Sequence, residues 1–316
     1  MKLALIGFGN VGRAFARLLE AQRAKYPFRV TAIHTARHGS IAGEKRLSEE
    51  PEFGPPASSV EEFLDRARPD VVIELTTLNA VTGEPAITHI RKAFERNAHV
   101  VTANKGPIAV AFHDLCAQAR AAGVEFRFES TCMDGAPVFN MVRNNLPGVQ
   151  ILGFTGVLNS TTKIAIAAMQ RGLSMATGIA EAQSLGVAEA DASNDVDGWD
   201  SAAKTAALAN VLMDARITPR DVERTGIGHL TPEYVQSLAA NGKTVCLVSR
   251  AENGQFLVRP EEVEHNSLLA GVTGTSNLLL LHTDLMGTVG TVSISPGVDQ
   301  TAYGVFSDVV DIARSL

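Results

Sequence analysis

Five carboxylates and one lysine fall within the sixteen residues from Glu189 to Lys204: Glu189, Asp191, Asp195, Asp197 and Asp200 precede Lys204. Acid clusters of this density usually lie on solvated faces or bind cations. The residues that follow make the lysine more telling. With a helix starting at Asp197-Gly198, the residues Asp200, Lys204, Leu208, Val211 and Leu212 recur at helical spacing on one face. An ammonium leading an apolar stripe needs a partner, and Asp200 stands one turn earlier. Such a pair can serve proton transfer. It can equally be structural, with Asp197 capping the helix, Asp200 in its first turn and Lys204 an ordinary i,i+4 partner. Asp191, Ser193 and Asp197 read as turn and cap residues.

A second pattern lies at the other end of the chain. Residues 2–6 form a short apolar strand, followed by Gly7-Phe8-Gly9-Asn10-Val11-Gly12 and a helix through Ala14, Leu18 and Leu19. In that strand-then-helix setting Gly7 permits a tight turn, Gly9 lets a pyrophosphate approach the backbone, and Gly12 lets helix and strand pack closely. Unpaired amides at the helix start then face the phosphates. The second strand, Phe28 to Ile33, is followed by His34-Thr35-Ala36-Arg37-His38-Gly39-Ser40, with no acid for a ribose 2′-hydroxyl. A missing acid beside Arg37 suits a 2′-phosphate, which favours NADP, with NAD as the alternative.

Two further apolar strands end in polar residues: Asp70 to Glu74 runs into Leu75-Thr76-Thr77, and His99 to Thr102 into Ala103-Asn104-Lys105. Ligands of open parallel sheets bind beyond such carboxyl ends, so Thr76, Thr77, Asn104 and Lys105 are expected to line the cofactor and the reacting centre. Pro85 to Asn97 reads as the amphipathic helix between them, giving the alternation of a parallel sheet.

At 316 residues the chain is long enough for two domains. A hydrophobic share of 45% with 20% charged residues is that of an ordinary soluble globular protein. The formal net charge of −6 argues against a nucleic-acid or anionic-membrane surface. No apolar run approaches a membrane span, and the opening strand leaves no room for a cleaved signal peptide, so a cytoplasmic location is expected. Cys116, Cys132 and Cys246 are few, odd in number and far apart, and the eight histidines show no paired ligand spacing.

The chain resembles the short form of the homoserine dehydrogenases. The resemblance spans nearly its whole length. It rests on Gly7-Phe-Gly-Asn-Val-Gly12, Glu74-Leu-Thr with Thr82-Gly-Glu-Pro85, Thr102-Ala-Asn-Lys-Gly-Pro107, Gly156-Val-Leu-Asn-Ser-Thr-Thr162 and the stretch from Leu185 to Lys204. It implies an α/β fold in which a Rossmann-like parallel sheet carries an inserted α/β catalytic and dimerisation domain. The expected nucleotide-binding domain is 1–136, completed by 297–316, and the expected catalytic and dimerisation domain is 137–296. The implied reaction is the reversible NAD(P)-dependent interconversion of L-homoserine and L-aspartate 4-semialdehyde, a step of threonine and methionine biosynthesis.

By the same resemblance Lys204 is the acid/base and Asp200 orients it. Glu189 and Asp195 receive the polar head of the substrate, with hydroxyls and amides around Ser160 to Thr162, Thr161 among them, for its carboxylate. Lys105 sits at the reacting hydroxyl, and Gly297 meets the nicotinamide end, with a helix beginning near Thr301. Backbone carbonyls of Glu129, Cys132 and Asp134 are expected to hold a monovalent cation such as Na+ or K+. A homodimer acting on a small molecule, without nucleic acid or membrane, completes the expectation. Neither an attached regulatory domain nor an aspartate-kinase segment is expected.

Where the family has Asn-Gly-Thr-Thr-Asn before an aromatic, this chain has Asn159-Ser-Thr-Thr-Lys163-Ile164. The extra cation either alters the pocket or faces solvent. The glycine-rich segment near the end is reduced to Pro296-Gly297-Val298-Asp299-Gln300 and onward. These departures keep open a dehydrogenase for another amino-acid aldehyde, and a nucleotide-binding sensor without turnover. A polar loop is expected over residues 47–59, and strands over 151–157, 244–248, 256–258, 277–282 and 287–294. Helices are expected over 164–171, 177–185 and 199–214.

Overall fold

The computed structural model of the chain describes residues 1–43 and 50–316. It divides into two compact units, Met1–Phe139 with Gly297–Leu316, and Asn140–Pro296.

The first unit begins with β1 (Lys2–Ile6), α1 (Asn10–Ala21), β2 (Arg29–Thr35) and β3 (Gly39–Ala42). It continues through α2 (Val60–Ala67), β4 (Val71–Glu74), α3 (Ala86–Phe94), β5 (His99–Thr102), α4 (Lys105–Ala122) and β6 (Phe126–Arg127). The strands form one sheet in the order β3-β2-β1-β4-β5-β6. Pairing is parallel except at the β2–β3 edge. The register sets Ile6 beside Glu74 and Glu74 beside Thr102, so the loops after β1, β4 and β5 leave from one edge.

The antiparallel β3 is a strand that the sequence reading does not include. The chain folds back through Ala36-Arg37-His38 because Thr35 Oγ1 accepts from His38 N at 2.9 Å and donates to Gly39 O at 3.2 Å. Gly39, at φ +95°, lies so close to Gly54 O that a side chain there would collide with it. Of the expected polar loop, residues 47–49 lie outside the described residues. The part from 50 to 59 is irregular, and Phe53 packs edge-on to Phe8 at 6.4 Å.

The chain then forms α5 (Phe139–Asn145), β7 (Ile151–Val157), α6 (Ser160–Gln170), α7 (Met175–Ser184), α8 (Ser193–Val196) and α9 (Trp199–Leu212). There follow β8 (Glu223–Arg224), α10 (Pro232–Ala240), β9 (Lys243–Glu252), β10 (Gln255–Glu264), β11 (Asn277–Thr283) and β12 (Thr288–Ser293). The six strands of the second unit stand in the order β12-β11-β7-β9-β10-β8. All pairs are antiparallel except β8–β10. Asn253 and Gly254 both take positive φ, the two-residue turn that lets β9 and β10 twist together.

Those two strands are longer than their apolar runs suggest. Residues 259–264, Arg-Pro-Glu-Glu-Val-Glu, are polar and contain a proline, yet they pair with β9. β8 borders β10 at Leu257 and Val258, so Pro260 lies beyond that pairing, where a missing N–H costs no ladder bond. α6 also begins four residues before its apolar pattern, because Asn159 caps it by accepting from Thr162 N at 2.9 Å.

α11 (Val298–Ser315) returns the chain to the first unit, starting three residues before Thr301. Its buried Ala302, Val305, Phe306, Val309 and Ile312 recur at helical spacing and share a core with Leu3, Leu5, Phe15, Leu19 and Ile33. Each fully buried Leu, Ile, Val or Phe here contributes about 1.5–3 kcal/mol.

Candidate active site

In the first unit the glycine turn is built by exclusion. At Gly7, φ is +95° and a Cβ would stand 2.6 Å from Leu75 O, so only glycine lets the turn lie against the loop after β4. At Gly12 a Cβ would sit 3.1 Å from the ring of Phe8. Gly9 is different, because among the described residues, its own neighbours in the chain aside, nothing lies within 4 Å of where its Cβ would be. Gly9 caps α1 without a side chain, and no acid stands in the first turn. The first amides of α1 are therefore presented to an exposed glycine surface, where an anionic group gains from both hydrogen bonds and the helix dipole. These features fit a dinucleotide pyrophosphate. Asn10 is exposed and Val11 partly so, while Phe8 is buried beneath the turn, with the Arg13 guanidinium 5.3 Å from its ring centroid.

Gly7 N donates to His34 O at 2.9 Å, which fastens the end of β2 beside the glycine turn. Arg37 is exposed at the tip of the β2–β3 hairpin. His34 Nδ1 lies 2.7 Å from Ser40 Oγ across the hairpin, and burial, then His89, holds its pKa below the usual imidazole range.

The loops after β4 and β5 are tied by a residue that sequence reasoning quoted in a motif but gave no role. Glu74 is fully buried. One of its oxygens accepts from Thr76 N at 3.1 Å and from the Thr76 hydroxyl, and the other accepts from Thr102 Oγ1 at 3.1 Å. His89 Nδ1 of α3 stands 3.6 Å from the first oxygen. A buried carboxylate at a strand end needs this many donors. Asn104 is likewise buried, and its side chain is used internally: Nδ2 donates to Thr76 O at 3.1 Å and Thr77 O at 3.4 Å, and Oδ1 caps α4 by accepting from Gly106 N. It holds the loop instead of presenting its amide. Thr77 is exposed, and Lys105, partly exposed, opens α4.

Gly297 caps α11, and its N–H donates to Gln300 Oε1 at 2.9 Å. The segment expected to hold a cation forms a 3-10 turn over Glu129–Thr131. The Glu129 carboxylate is occupied by Val138 N at 2.6 Å and Phe139 N at 2.9 Å, and Cys132 is buried. Asp134 and Gly135 both take positive φ, and a side chain at Gly135 would stand 2.4 Å from Gln300 O. Among the described residues no group of three or more His, Cys, Asp and Glu is placed to hold a metal by side chains.

In the second unit the acid–lysine pair is present as a contact. Lys204 Nζ lies 3.0 Å from Asp200 Oδ2 and donates to Leu158 O at 2.6 Å, and both side chains are 15% exposed. The helix start is not capped by Asp197. Gly198, at φ +82°, is the N-cap, and Asp197 instead ends α8, its carbonyl accepting from the Arg224 guanidinium. That guanidinium stacks on Trp199 at 3.5 Å from the ring centroid.

Asn159 joins the acids. Its Nδ2 donates to Asp195 Oδ1 at 2.6 Å and to Asp200 Oδ2 at 3.0 Å, while its Oδ1 caps α6. Thr161 also bonds Asp195. Burial, then the neighbouring Asp200, pushes the Asp195 carboxyl above its usual range, against the pull of Asn159, Thr161 and Lys204. Asp195, Asp200, Thr161 and Lys204 are thus brought together, with Asn159 as the hub. The signal for Asn159 was its place just past an apolar strand and immediately before Ser-Thr-Thr, the position of a helix cap. Glu189 is exposed on the loop before α8, and its backbone carbonyl accepts from Gln183 Nε2 at 3.0 Å. Asp191 makes the expected turn, accepting from Ser193 N at 3.0 Å.

Lys163 does not face solvent. It is 8% exposed, and its ammonium donates to Asn277 Oδ1 at 3.0 Å.

A parallel sheet whose glycine turn, and a helix start without a side-chain cap, share an edge with the loops after β4 and β5 defines a dinucleotide-binding protein of the Rossmann type. Residues 7–129 match the family model for the NAD binding domain of homoserine dehydrogenase, and residues 137–310 the model for homoserine dehydrogenase itself. The chain belongs to the homoserine dehydrogenase family. It is 35% identical to a homoserine dehydrogenase of Methanocaldococcus jannaschii, over 100% of this chain and 99% of that protein. It is 33% identical to an NAD(+)-dependent homoserine dehydrogenase of Pseudomonas canavaninivorans, over 99% and 96%. A hyperthermophilic archaeal homoserine dehydrogenase solved in complex with NADPH superposes with a TM-score of 0.85 at 28% identity, covering 100% of this chain and 98% of that one.

Proposed function

We propose that the chain interconverts L-homoserine and L-aspartate 4-semialdehyde with Lys204 as acid/base. The observation that carries this reading is the fixed ammonium of Lys204, held between Asp200 and the Leu158 carbonyl. A nicotinamide cofactor, when bound, would supply the hydride for reduction and take it up for oxidation. In reduction Lys204 donates a proton to the developing alkoxide, and in oxidation it accepts the hydroxyl proton of homoserine. Asp200 and Leu158 O hold the amine in place, and Asp200 stabilises its charged form. Asp195 and Glu189 receive the α-ammonium of the substrate, with Thr161 beside Asp195. Lys105 is the alternative carrier of the proton-transfer role. The first unit, 1–136 with 297–316, is the nucleotide-binding domain, and 137–296 is the catalytic and dimerisation domain.

For the cofactor, the turn from Gly7 to Gly12 holds the pyrophosphate. Thr76, Thr77, Asn104, Lys105 and Gly297 serve the nicotinamide end, Asn104 by fixing the loop. The exposed Arg37 on the hairpin beside Gly7 takes a 2′-phosphate, so NADP is preferred. NAD is the second reading, favoured by the NAD(+)-dependent relative. Carbonyls of Glu129, Cys132 and Asp134 hold a monovalent cation, a role compatible with the Glu129 carboxylate accepting from Val138 N and Phe139 N. A homodimer through the second unit is supported by exposed Leu152, Leu285, Met286, Val292 and Ile294. No helix among the described residues is long and apolar enough to cross a membrane; a cytoplasmic location is proposed with the activity.

The test follows absorbance of the reduced cofactor during homoserine oxidation at alkaline pH, with NADP and NAD in parallel. Homoserine-dependent reduction, faster with NADP, is the expected result, and Arg37→Ala should erase that preference. A preference for NAD removes the 2′-phosphate reading and keeps the enzyme. No turnover with either, once folding is verified and bound nucleotide stripped, overturns the substrate.

A further inference from the structure

Glu74 belongs to a closed ring of hydrogen bonds in the first unit. It is the last residue of β4 and stands beside Thr102, the last residue of β5, and both are fully buried. One Glu74 oxygen accepts from Thr76 N and from the Thr76 hydroxyl, and the other accepts from Thr102 Oγ1 at 3.1 Å. Thr102 Oγ1 in turn accepts from Asn104 N at 3.0 Å, and Asn104 Nδ2 returns to the carbonyls of Thr76 and Thr77. The ring thus runs through Glu74, Thr102, Asn104 and Thr76. Asn104 Oδ1 extends it to Gly106 N, in the first turn of α4, which Lys105 opens.

A buried carboxylate is a costly way to end a strand, and apolar residues of similar volume would close the same space without that cost. What the carboxylate supplies is two oxygens at a fixed spacing, each able to take more than one donor, so it can set two loops at once. The strands themselves need no such tie. Four parallel pairings, from Val71 with His99 to Glu74 with Thr102, already hold β4 to β5. The ring acts past the last of them, on Thr76, Thr77 and the start of α4. Gly106 packs on the same loop, since a Cβ there would stand 2.9 Å from Asn79 O, so the start of α4 and the loop after β4 move together.

We propose that Glu74 is a positioning residue for hydride transfer: through the ring it fixes the loop after β4 and the first turn of α4 for the nicotinamide half of the cofactor, without itself touching cofactor or substrate. This rests on the assignment of Thr76, Thr77 and Lys105 to that end of the site. Misplacing a reacting group by about 1 Å can cost about 10²-fold in rate, so a residue that acts only on loop position has a kinetic effect. The ring needs geometry and not charge. Glu74→Gln keeps an oxygen for Thr76 and presents an amide N–H that Thr102 Oγ1 can accept, because that hydroxyl can give its own proton to Glu74 O at 3.2 Å. Glu74→Ala opens the ring at both oxygens. Thr102→Val opens it at one hydroxyl with little change of volume.

Two ligands read the proposal in the purified protein: NADPH, followed by its fluorescence, and its adenine half, 2′,5′-ADP, followed by calorimetry. NADH and ADP replace them where the parent prefers NAD. Glu74→Ala and Thr102→Val should bind NADPH about tenfold more weakly, roughly one hydrogen bond, and lower kcat about 10- to 100-fold. Their affinity for 2′,5′-ADP should equal the parent's. Glu74→Gln should restore both NADPH affinity and kcat. A lowered Tm with kcat and both affinities unchanged overturns the proposal, because the ring would then be structural only. So does equal weakening of the two ligands, or a Glu74→Gln variant as impaired as Glu74→Ala. If Glu74→Ala does not fold, Thr102→Val decides alone. Absence of homoserine turnover in the parent would instead overturn the substrate assigned above, and the two affinities would still decide the role of Glu74.

Discussion

The glycine turn of the first unit and the acid–lysine cluster of the second unit do comparable work with different materials. The turn is made of backbone. Its contacts to an anion are amides, and its glycines act by what they leave out, namely a Cβ that would strike Leu75 O at Gly7 and one that would enter open space at Gly9. The cluster is made of side chains: Lys204, Asp200, Asp195 and Thr161, drawn together by Asn159. A backbone site tolerates change in most side chains and fails when geometry changes. A side-chain site tolerates geometry less narrowly and fails when one polar partner is lost, because the others are then left under-satisfied in a partly desolvated place.

The comparison is tested most severely at Lys204. Lys204→Ala should lower kcat about 10²- to 10⁴-fold, the usual share of a general acid–base group, with cofactor binding unchanged by fluorescence titration. Near-normal turnover would transfer the role to Lys105. The matching experiment in the first unit sets two glycines against each other. Gly7→Ala should destabilise the fold by about 2–4 kcal/mol in urea unfolding, since left-handed strain and overpacking add. Gly9→Ala should stay within about 0.5 kcal/mol of the parent. It should nonetheless bind cofactor about tenfold more weakly, roughly one phosphate hydrogen bond. Equal behaviour of the two variants would break the claim that they act by different exclusions.

A smaller effect is expected at Asn159. Asn159→Ala removes a helix cap, about 1 kcal/mol, and also the donor shared by Asp195 and Asp200. A cap alone would lower Tm and leave kinetics untouched. The shared donor predicts in addition a rise in KM and a shifted pH profile of kcat/KM.

The smallest effect runs the other way. The Asp195 carboxyl is pushed upward by burial and by Asp200. Between its unfolded value and that raised value the folded protein keeps a proton the unfolded chain has released, so stability falls as pH rises through that window and the penalty persists above it. Asp195→Asn should therefore have a higher Tm than the parent at neutral pH, with the gain vanishing in acid, and a higher KM. A lower Tm at neutral pH would mean that Asp195 is structurally favourable.

Much of the fold was legible because local signals agreed. β1, β4 and β5 are short apolar runs followed at once by glycine or polar residues, and the i,i+4 spacing of Asp200 and Lys204 survives any packing that keeps α9 helical. Legibility failed where a residue's role depends on distant atoms. β3 is a four-residue edge strand whose turn is held by Thr35 and whose path is shaped by Gly54, fourteen positions after Ser40, the residue it pairs with. The polar half of β10 is a strand because β9 pairs with it, whatever its own composition prefers. Lys163 reads equally as a pocket cation or a solvated one until Asn277, more than a hundred residues on, is seen to accept from it.

The sequence by itself determined the periodic and contiguous parts of this protein: the glycine turn between strand and helix, the alternation that makes a parallel sheet, and a lysine one helical turn after its carboxylate. These depend on backbone sterics and on spacing within a few residues, which tertiary contacts modify little. Tertiary structure alone decided that Asn159 bridges two acids on different helices, that Glu74 and Asn104 fasten loops instead of facing outward, and that the ammonium of Lys163 is enclosed. Each of those outcomes is a matter of which polar partner stands within hydrogen-bonding reach once the chain has folded. That distance is fixed by packing between elements far apart in sequence, and no local pattern encodes it.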